Sequence, residues 1–180
     1  MTAFDTVTTI FGPNADFAGA STFAVVDSII HLVDPDRPDE ISREHDALIV
    51  QRLRDNMLAA GWTEIAAPDS ANPPDVALQA AATTSDTIVI EYWPPYWGWY
   101  PGWGYPGYGW GWGWANVYSY TTGTVLTAML DLRNPNMASE TIPVIWVGAL
   151  NGVISAPSNI EARIVEGLDQ AFEQSPYLRT

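Results

Sequence analysis

Tyr92–Trp114 reads YWPPYWGWYPGWGYPGYGWGWGW, a run of seven Trp, five Tyr, seven Gly and four Pro with no charge and no aliphatic side chain. The prolines remove backbone donors and the glycines leave φ free, so neither a helix nor a regular central strand fits this composition. The run predicts a long loop. One Trp or Tyr can bury about 150–250 Å², so these rings together offer on the order of 2,000 Å². A monomer tolerates only a few hundred Å² of contiguous exposed apolar surface. The loop must therefore pack on its own body, on another copy, or on a partner.

Outward from it, both flanks read as extended chain. Val76–Tyr92 has strand character, with a break expected near Thr83–Asp86, and Val117–Leu132 resumes it. In the latter, Leu126, Ala128, Leu130 and Leu132 share one face while Thr127 and Asp131 share the other, which predicts one buried and one more polar face. Asn134-Pro135-Asn136 signals a turn, and Pro143–Ile154 forms another strand with Val144, Trp146 and Leu150 on one side. The aromatic run becomes the overgrown tip of a hairpin in an antiparallel meander.

Further out, Phe4–Phe11 and Thr22–Leu32 are rich in β-branched and aromatic residues and read as two strands. Ser42–Ala60 is a helix with Ile49, Leu53, Met57 and Ala60 on one face, and Gly61 stands where a left-handed C-cap is expected. Trp62–Ile65 is a short extended piece. Ser158-Asn159-Ile160-Glu161 matches a capping box. Behind it Ile160, Ile164, Leu168 and Phe172 repeat every fourth residue, and Ser175-Pro176 stops this second helix. The sum is an α+β fold in a single domain, residues 1–180. It is two-layered, with a mainly antiparallel sheet, two helices on one face and the order β-β-α-β-β-β-α, plus the long aromatic hairpin loop.

All seven basic residues are Arg, against 21 acidic ones, giving a net charge of −14. Nucleic acid is excluded as a partner, since phosphate neutralisation needs clustered cations. The chain has no Cys, hence neither disulfides nor thiolate metal sites. No apolar run approaches the ~20 residues of a membrane span. Residues 1–20 lack the basic and apolar segments of a signal peptide, so the expectation is a cytoplasmic protein or a numbering that starts after a removed export signal.

Enzyme constellations are missing. Gly102-Trp103-Gly104-Tyr105-Pro106-Gly107 matches G-x-G-x-x-G formally, but Pro106 interrupts it and no helix follows to hold a phosphate. His31 reads as a satisfied surface group, and His45 stands between Glu44 and Asp46, whose side chains point apart along a helix. The expectation is therefore no enzyme, no cofactor and no metal. The candidate binding residues are the rings of the loop: Trp93, Trp97, Trp99, Tyr100, Trp103, Tyr105, Tyr108, Trp110, Trp112 and Trp114. Four uses compete. The rings can form a self-packed flap, anchor a protein or self-assembly contact, sit in a membrane interface, or stack on the sugar rings of a glycan.

Certain phrases and their order resemble the DUF4136 family, uncharacterised bacterial envelope proteins usually made as lipoproteins. They are Asp5-Thr6-Val7-Thr8-Thr9, Asp16-Phe17 with Thr22-Phe23-Ala24, and Asn56-Met57 with Gly61-Trp62. Tyr118–Thr124 follows, leading to Asp131-Leu132, then Val144–Gly148 and the tail Gly167–Leu178. The resemblance covers nearly the whole chain. It implies a mixed α/β domain at the periplasm or cell surface, associated with the outer membrane if a leader precedes Met1. Its partners would be another envelope protein or other copies of itself, with a glycan or a membrane surface as the alternatives. It carries over no catalytic residues, and this sequence has no N-terminal Cys for a lipid.

Overall fold

The computed structural model describes residues 6–33, 36, 38–83, 109–111 (backbone only), 123–154 and 158–180. In chain order the elements are β1 (Thr6–Phe11), β2 (Thr22–Val25), β3 (Ile30–Leu32), α1 (Asp46–Ala59), β4 (Thr63–Glu64) and β5 (Val76–Thr83). They continue with β6 (Gly109–Gly111), β7 (Thr124–Asp131), β8 (Thr141–Asn151), α2 (Ile160–Glu173) and a 3-10 turn, Pro176–Leu178. The sheet runs β1-β8-β7-β5-β2-β4. Pairing from β1 to β5 is antiparallel, whereas β2 and β3 run parallel to β5, and β4 parallel to β2.

Thr22–Leu32 is one strand by composition and two in the structure. Val25 pairs with Leu78 and Ile30 with Ala81, so the chain bulges out between β2 and β3. Buried Gln79 holds the bulge, its amide donating to Ser28 O at 2.6 Å and Ala80 O at 2.9 Å. A buried amide without such partners would be costly, which accounts for a polar residue inside an otherwise apolar strand.

Both helices lie on one face of the sheet. Ile49, Val50, Leu53 and Met57 of α1 share one core cluster with Ile164, Leu168 and Ala171 of α2. The sheet contributes Val76, Leu78, Ala80, Val125, Met129, Trp146 and Leu150 to it. Trp146 is fully buried between the layers beside Leu150, as expected, but Val144, expected on the same side, lies on the far face. A register shift at Met129/Leu130 lets both Ile145 and Trp146 join the helix side. Gly148 makes room for the indole, since a Cβ there would stand 2.7 Å from Trp146 Cη2.

The face expected to meet the helices is the other one. Leu130 and Leu132 cluster with Ala24, Val26, Ala77 and Ile142, and Ala128 with Val144 and Val147, away from both helices. All eight residues of β7 are buried, Thr127 and Asp131 included. The strand is central and covered on both sides, so its alternation marks two interiors, larger and smaller side chains, rather than core and solvent.

Two helix starts also differ from expectation. α1 begins at Asp46, because Ser42–His45 form turns; the Ser42 hydroxyl accepts the Glu44 N–H at 3.2 Å. α2 is capped by Asn159 at φ 58° with no side-chain cap hydrogen bond, so Ser158 and Glu161 form no capping box. Asn tolerates the left-handed region better than most residues. The predicted C-cap of α1 is present: Gly61 sits at φ +97°.

Candidate functional site: the frame of the aromatic stretch

The frame is built from the centre of the sheet. β5 and β7 pair along their whole length, down to Thr83↔Thr124 at the end where the aromatic connection leaves and returns. That end is tightly tied. Gly123, at φ +82°, donates its N–H to Thr83 O at 3.0 Å and accepts from Ile154 N at 3.1 Å. Thr124 Oγ1 bonds Asn151 Oδ1 at 3.2 Å, and the Asn151 amide reaches Thr6 O at 3.2 Å.

A second anchor lies at the opposite end. The backbone of Gly109–Gly111 pairs parallel with Thr141–Pro143, the first residues of β8. These sit beside the β7–β8 turn, where Asn136 and Thr141 exchange backbone hydrogen bonds of 2.7 and 3.1 Å. The Asn136 side chain accepts from Ala138 N and Ser139 N, which fixes the turn. Of the ten candidate ring residues, Trp110 falls in β6. Trp93, Trp97, Trp99, Tyr100, Trp103, Tyr105, Tyr108, Trp112 and Trp114 lie outside the described residues, as does the rest of the proposed hairpin loop.

The polar groups form structural pairs. Asp75 Oδ2 accepts the N–H groups of Ser21 at 2.8 Å and Thr22 at 2.9 Å, and Asp75 N donates to Thr22 Oγ1 at 2.9 Å. Burial opposes the Asp75 charge, but these donors and the Arg133 guanidinium outweigh it and hold the carboxyl below its usual range. Arg133 grips Asp131 through Nε at 2.9 Å and donates to Asp16 O at 2.6 Å, which joins the β1–β2 connection to the end of β7. Arg52 holds Asp169 bidentately and thereby ties α1 to α2; Asn56 donates to the same carboxylate at 3.1 Å. That hydrogen bond raises the Arg52 pKa despite burial.

His31 is not a surface group. Its side chain is 3% exposed, and Nδ1 meets Asp39 Oδ2 at 2.8 Å. Nε2 faces Asp46 Oδ1 at 3.7 Å, beyond hydrogen-bond range. The pair pins the acidic connection after β3 against the start of α1, a structural task that composition alone did not reveal. Among the described residues, no group of three or more His, Asp or Glu is arranged to hold a metal. The groove between α1, α2 and the C-terminal tail, lined by Arg52, Asn56, Asp169, Phe172 and Arg179, measures about 250 Å³. Small-molecule sites usually span about 300–1,000 Å³, and Arg52 is already committed to Asp169.

Residues 7–177 match the family model described as a domain of unknown function, DUF4136. The chain belongs to the DUF4136 family. It is 28% identical to a DUF4136 family protein (BT2437) from Bacteroides thetaiotaomicron VPI-5482, over 98% of both chains, with a TM-score of 0.72. A PDZ domain protein from Parabacteroides distasonis ATCC 8503 shares the fold at 15% identity and TM-score 0.53, over 96% of this chain and 36% of that one. A PelC dodecamer from Paraburkholderia phytofirmans aligns at 14% identity over 98% of both chains, with a TM-score of 0.47. No curated protein matches the sequence. The DUF4136 assignment fits the mixed sheet with two helices on one face.

Proposed function

We propose that this DUF4136 chain is a non-enzymatic cell-envelope protein whose aromatic stretch, residues 92–114, makes contact with another envelope protein or another copy. The envelope location rests on the family resemblance. The contact reading rests on one observation: β5 and β7 pair fully to Thr83↔Thr124, yet residues 84–123 are inserted between those two ends. A two-residue turn suffices to join antiparallel neighbours. Connections longer than about 12–15 residues in a compact domain are usually functional or linkers, and a rigid scaffold carrying a long loop is the common arrangement for binding.

The area comparison points the same way. β5, β7 and β8 together present a face of roughly 400 Å², taking ~4.8 Å between strands and ~3.3 Å per residue. The rings offer on the order of 2,000 Å². That is more than one such sheet face can cover, and the surplus is open to a partner or to the rings themselves.

The test replaces residues 92–114 with Asn-Gly in the natural precursor. The shortened protein should melt in one cooperative transition and lose the association or envelope retention of the intact protein. A shortened chain that fails to fold would make the stretch a cover for the far sheet face, and the contact reading would fall. It would fall equally if the chain folds and every association persists. Loss confined to glycan binding or to vesicle binding would transfer the role to those alternatives.

A further inference from the structure

We propose that β1 is a self-complementary docking edge, through which two copies of this chain join their sheets antiparallel about Thr9. This stands independently of the aromatic stretch. Among the described residues β1 pairs only with β8, and its other side is an open edge. Thr6, Thr8 and Phe11 are exposed and Val7, Thr9 and Ile10 half-buried, whereas every residue of β5 and β7 is buried. Natural sheets blunt such edges with Lys, Pro, bulges or inward charges. Thr6–Phe11, TVTTIF, has none of these, and its β-branched residues favour pairing.

The ladder fixes which backbone groups are free. Phe11 stands opposite Trp146, and Gly12 N donates to Ile145 O at 2.9 Å. Antiparallel pairs alternate between hydrogen-bonded and non-hydrogen-bonded. Ile10, Thr8 and Thr6 therefore point their N–H and C=O at β8, as Gly12 does its N–H, and Val7, Thr9 and Phe11 point theirs outward. A two-fold axis at Thr9 sets Thr9 against Thr9 of the second copy and Val7 against its Phe11. All outward groups between Val7 and Phe11 are then satisfied by identical groups of the other chain, as an isologous interface requires.

The side chains agree with that register. Val7 packs against the helix-side core. Phe11 lies on the same side, 4.6 Å from the Tyr177 ring and 6.4 Å from Phe17, and remains 52% exposed. Pairing Val7 with Phe11 across the axis covers that exposed ring by an aromatic–β-branched contact, and Thr9 meets Thr9; both are favourable cross-strand pairs. Charge argues for this surface too. Copies of a chain at −14 repel each other, so they approach best along a segment without charge, and screening by salt should strengthen the dimer.

The experiment is sedimentation velocity of the full chain over a wide concentration range, at low and high salt, with three variants. Thr9→Pro removes an outward N–H without breaking a bond to β8, a position where an edge strand accepts proline. Two such bonds disappear per dimer, so dimerisation should weaken roughly thirtyfold. Thr9→Val keeps the backbone donors and should still dimerise. Phe11→Asp, at an exposed position, brings a charge into each half of the interface and should abolish the dimer without depending on proline. Thermal melts confirm that each variant is folded. A wild-type chain that stays monomeric throughout overturns the proposal, as does a dimer indifferent to both Thr9→Pro and Phe11→Asp. Association lost on replacing residues 92–114 but retained in these variants assigns it to the aromatic stretch instead.

Discussion

The indole N–H of Trp146, in the centre of β8, donates to Ser175 Oγ at 2.9 Å. Ser175 is itself buried at the end of α2 and also accepts from the Tyr177 hydroxyl at 3.1 Å. The bond ties the sheet to the point where the second helix stops, and Phe172 packs on the indole with ring centroids 5.6 Å apart.

Truncating that indole should therefore open a cavity between the layers. Trp146→Ala is expected to destabilise by about 3–5 kcal/mol, as for other large buried aromatics. Ser175→Ala keeps the packing but leaves the indole donor unpaired, at about 1–3 kcal/mol. Chemical denaturation of both variants checks the order; equal losses would mean that the hydrogen bond, not the packing, dominates.

Gly61 gives a backbone prediction. It sits at φ +97°, and a Cβ there would lie 2.7 Å from Thr180 Oγ1 and 2.9 Å from Thr180 O. The same corner receives the chain end, where Thr180 N donates to Ala60 O at 3.0 Å and the Trp62 indole donates to Leu178 O. Gly61→Ala combines an unfavourable φ with a displaced tail, and a loss of about 1–3 kcal/mol is expected. A variant shortened by Thr180 alone should recover part of it, because both clashing atoms are gone while the unfavourable φ remains.

The sequence was legible where a residue's local requirement and its tertiary setting coincide. Gly61 had to be left-handed after a helix, Ile164 and Leu168 had to face a core, and Trp146 could only be satisfied inside. It misled where the pattern names a face but not a partner. Leu126–Leu132 is the larger apolar set of β7, yet the helices took Val125 and Met129, because a central strand presents two interiors. Parallel pairing of β2 with β5 joins residues far apart in sequence and leaves no local signature. Gln79 is the single polar hint that Thr22–Leu32 would break, and its partner is a backbone carbonyl that composition cannot reveal. The candidate site was legible only as a composition. Its anchors, Thr83↔Thr124 and Gly109–Gly111 on Thr141–Pro143, depend on register, and the β1 edge depends on knowing which strand comes last.

Asp75 gives the pH prediction. Its carboxylate sits at the start of β5 and closes the first residues of β2 against that strand through Ser21 N and Thr22 N. Burial alone would raise its pKa; the donors and Arg133 reverse this and hold it below the ordinary Asp value. A depressed native pKa means that the unfolded chain binds the proton more tightly than the folded one. The stabilisation is therefore complete above the ordinary Asp range near pH 4 and is lost as pH falls through the native value. Asp39, also held below the ordinary Asp value, adds to the loss on the acid side: burial opposes its charge, but Ile41 N, His31 and Arg43 prevail. Asp75→Ala leaves two backbone donors without their charged acceptor and should cost about 2–3 kcal/mol at neutral pH. Once pH has fallen through the native value of Asp75 neither protein carries a charge at this position, so the difference between their melting temperatures should shrink there. Thermal melts of the two proteins from pH 7 down to about pH 2 decide it. A gap that stays constant across that range would mean that Asp75 acts by shape and hydrogen bonding alone, and not through its charge.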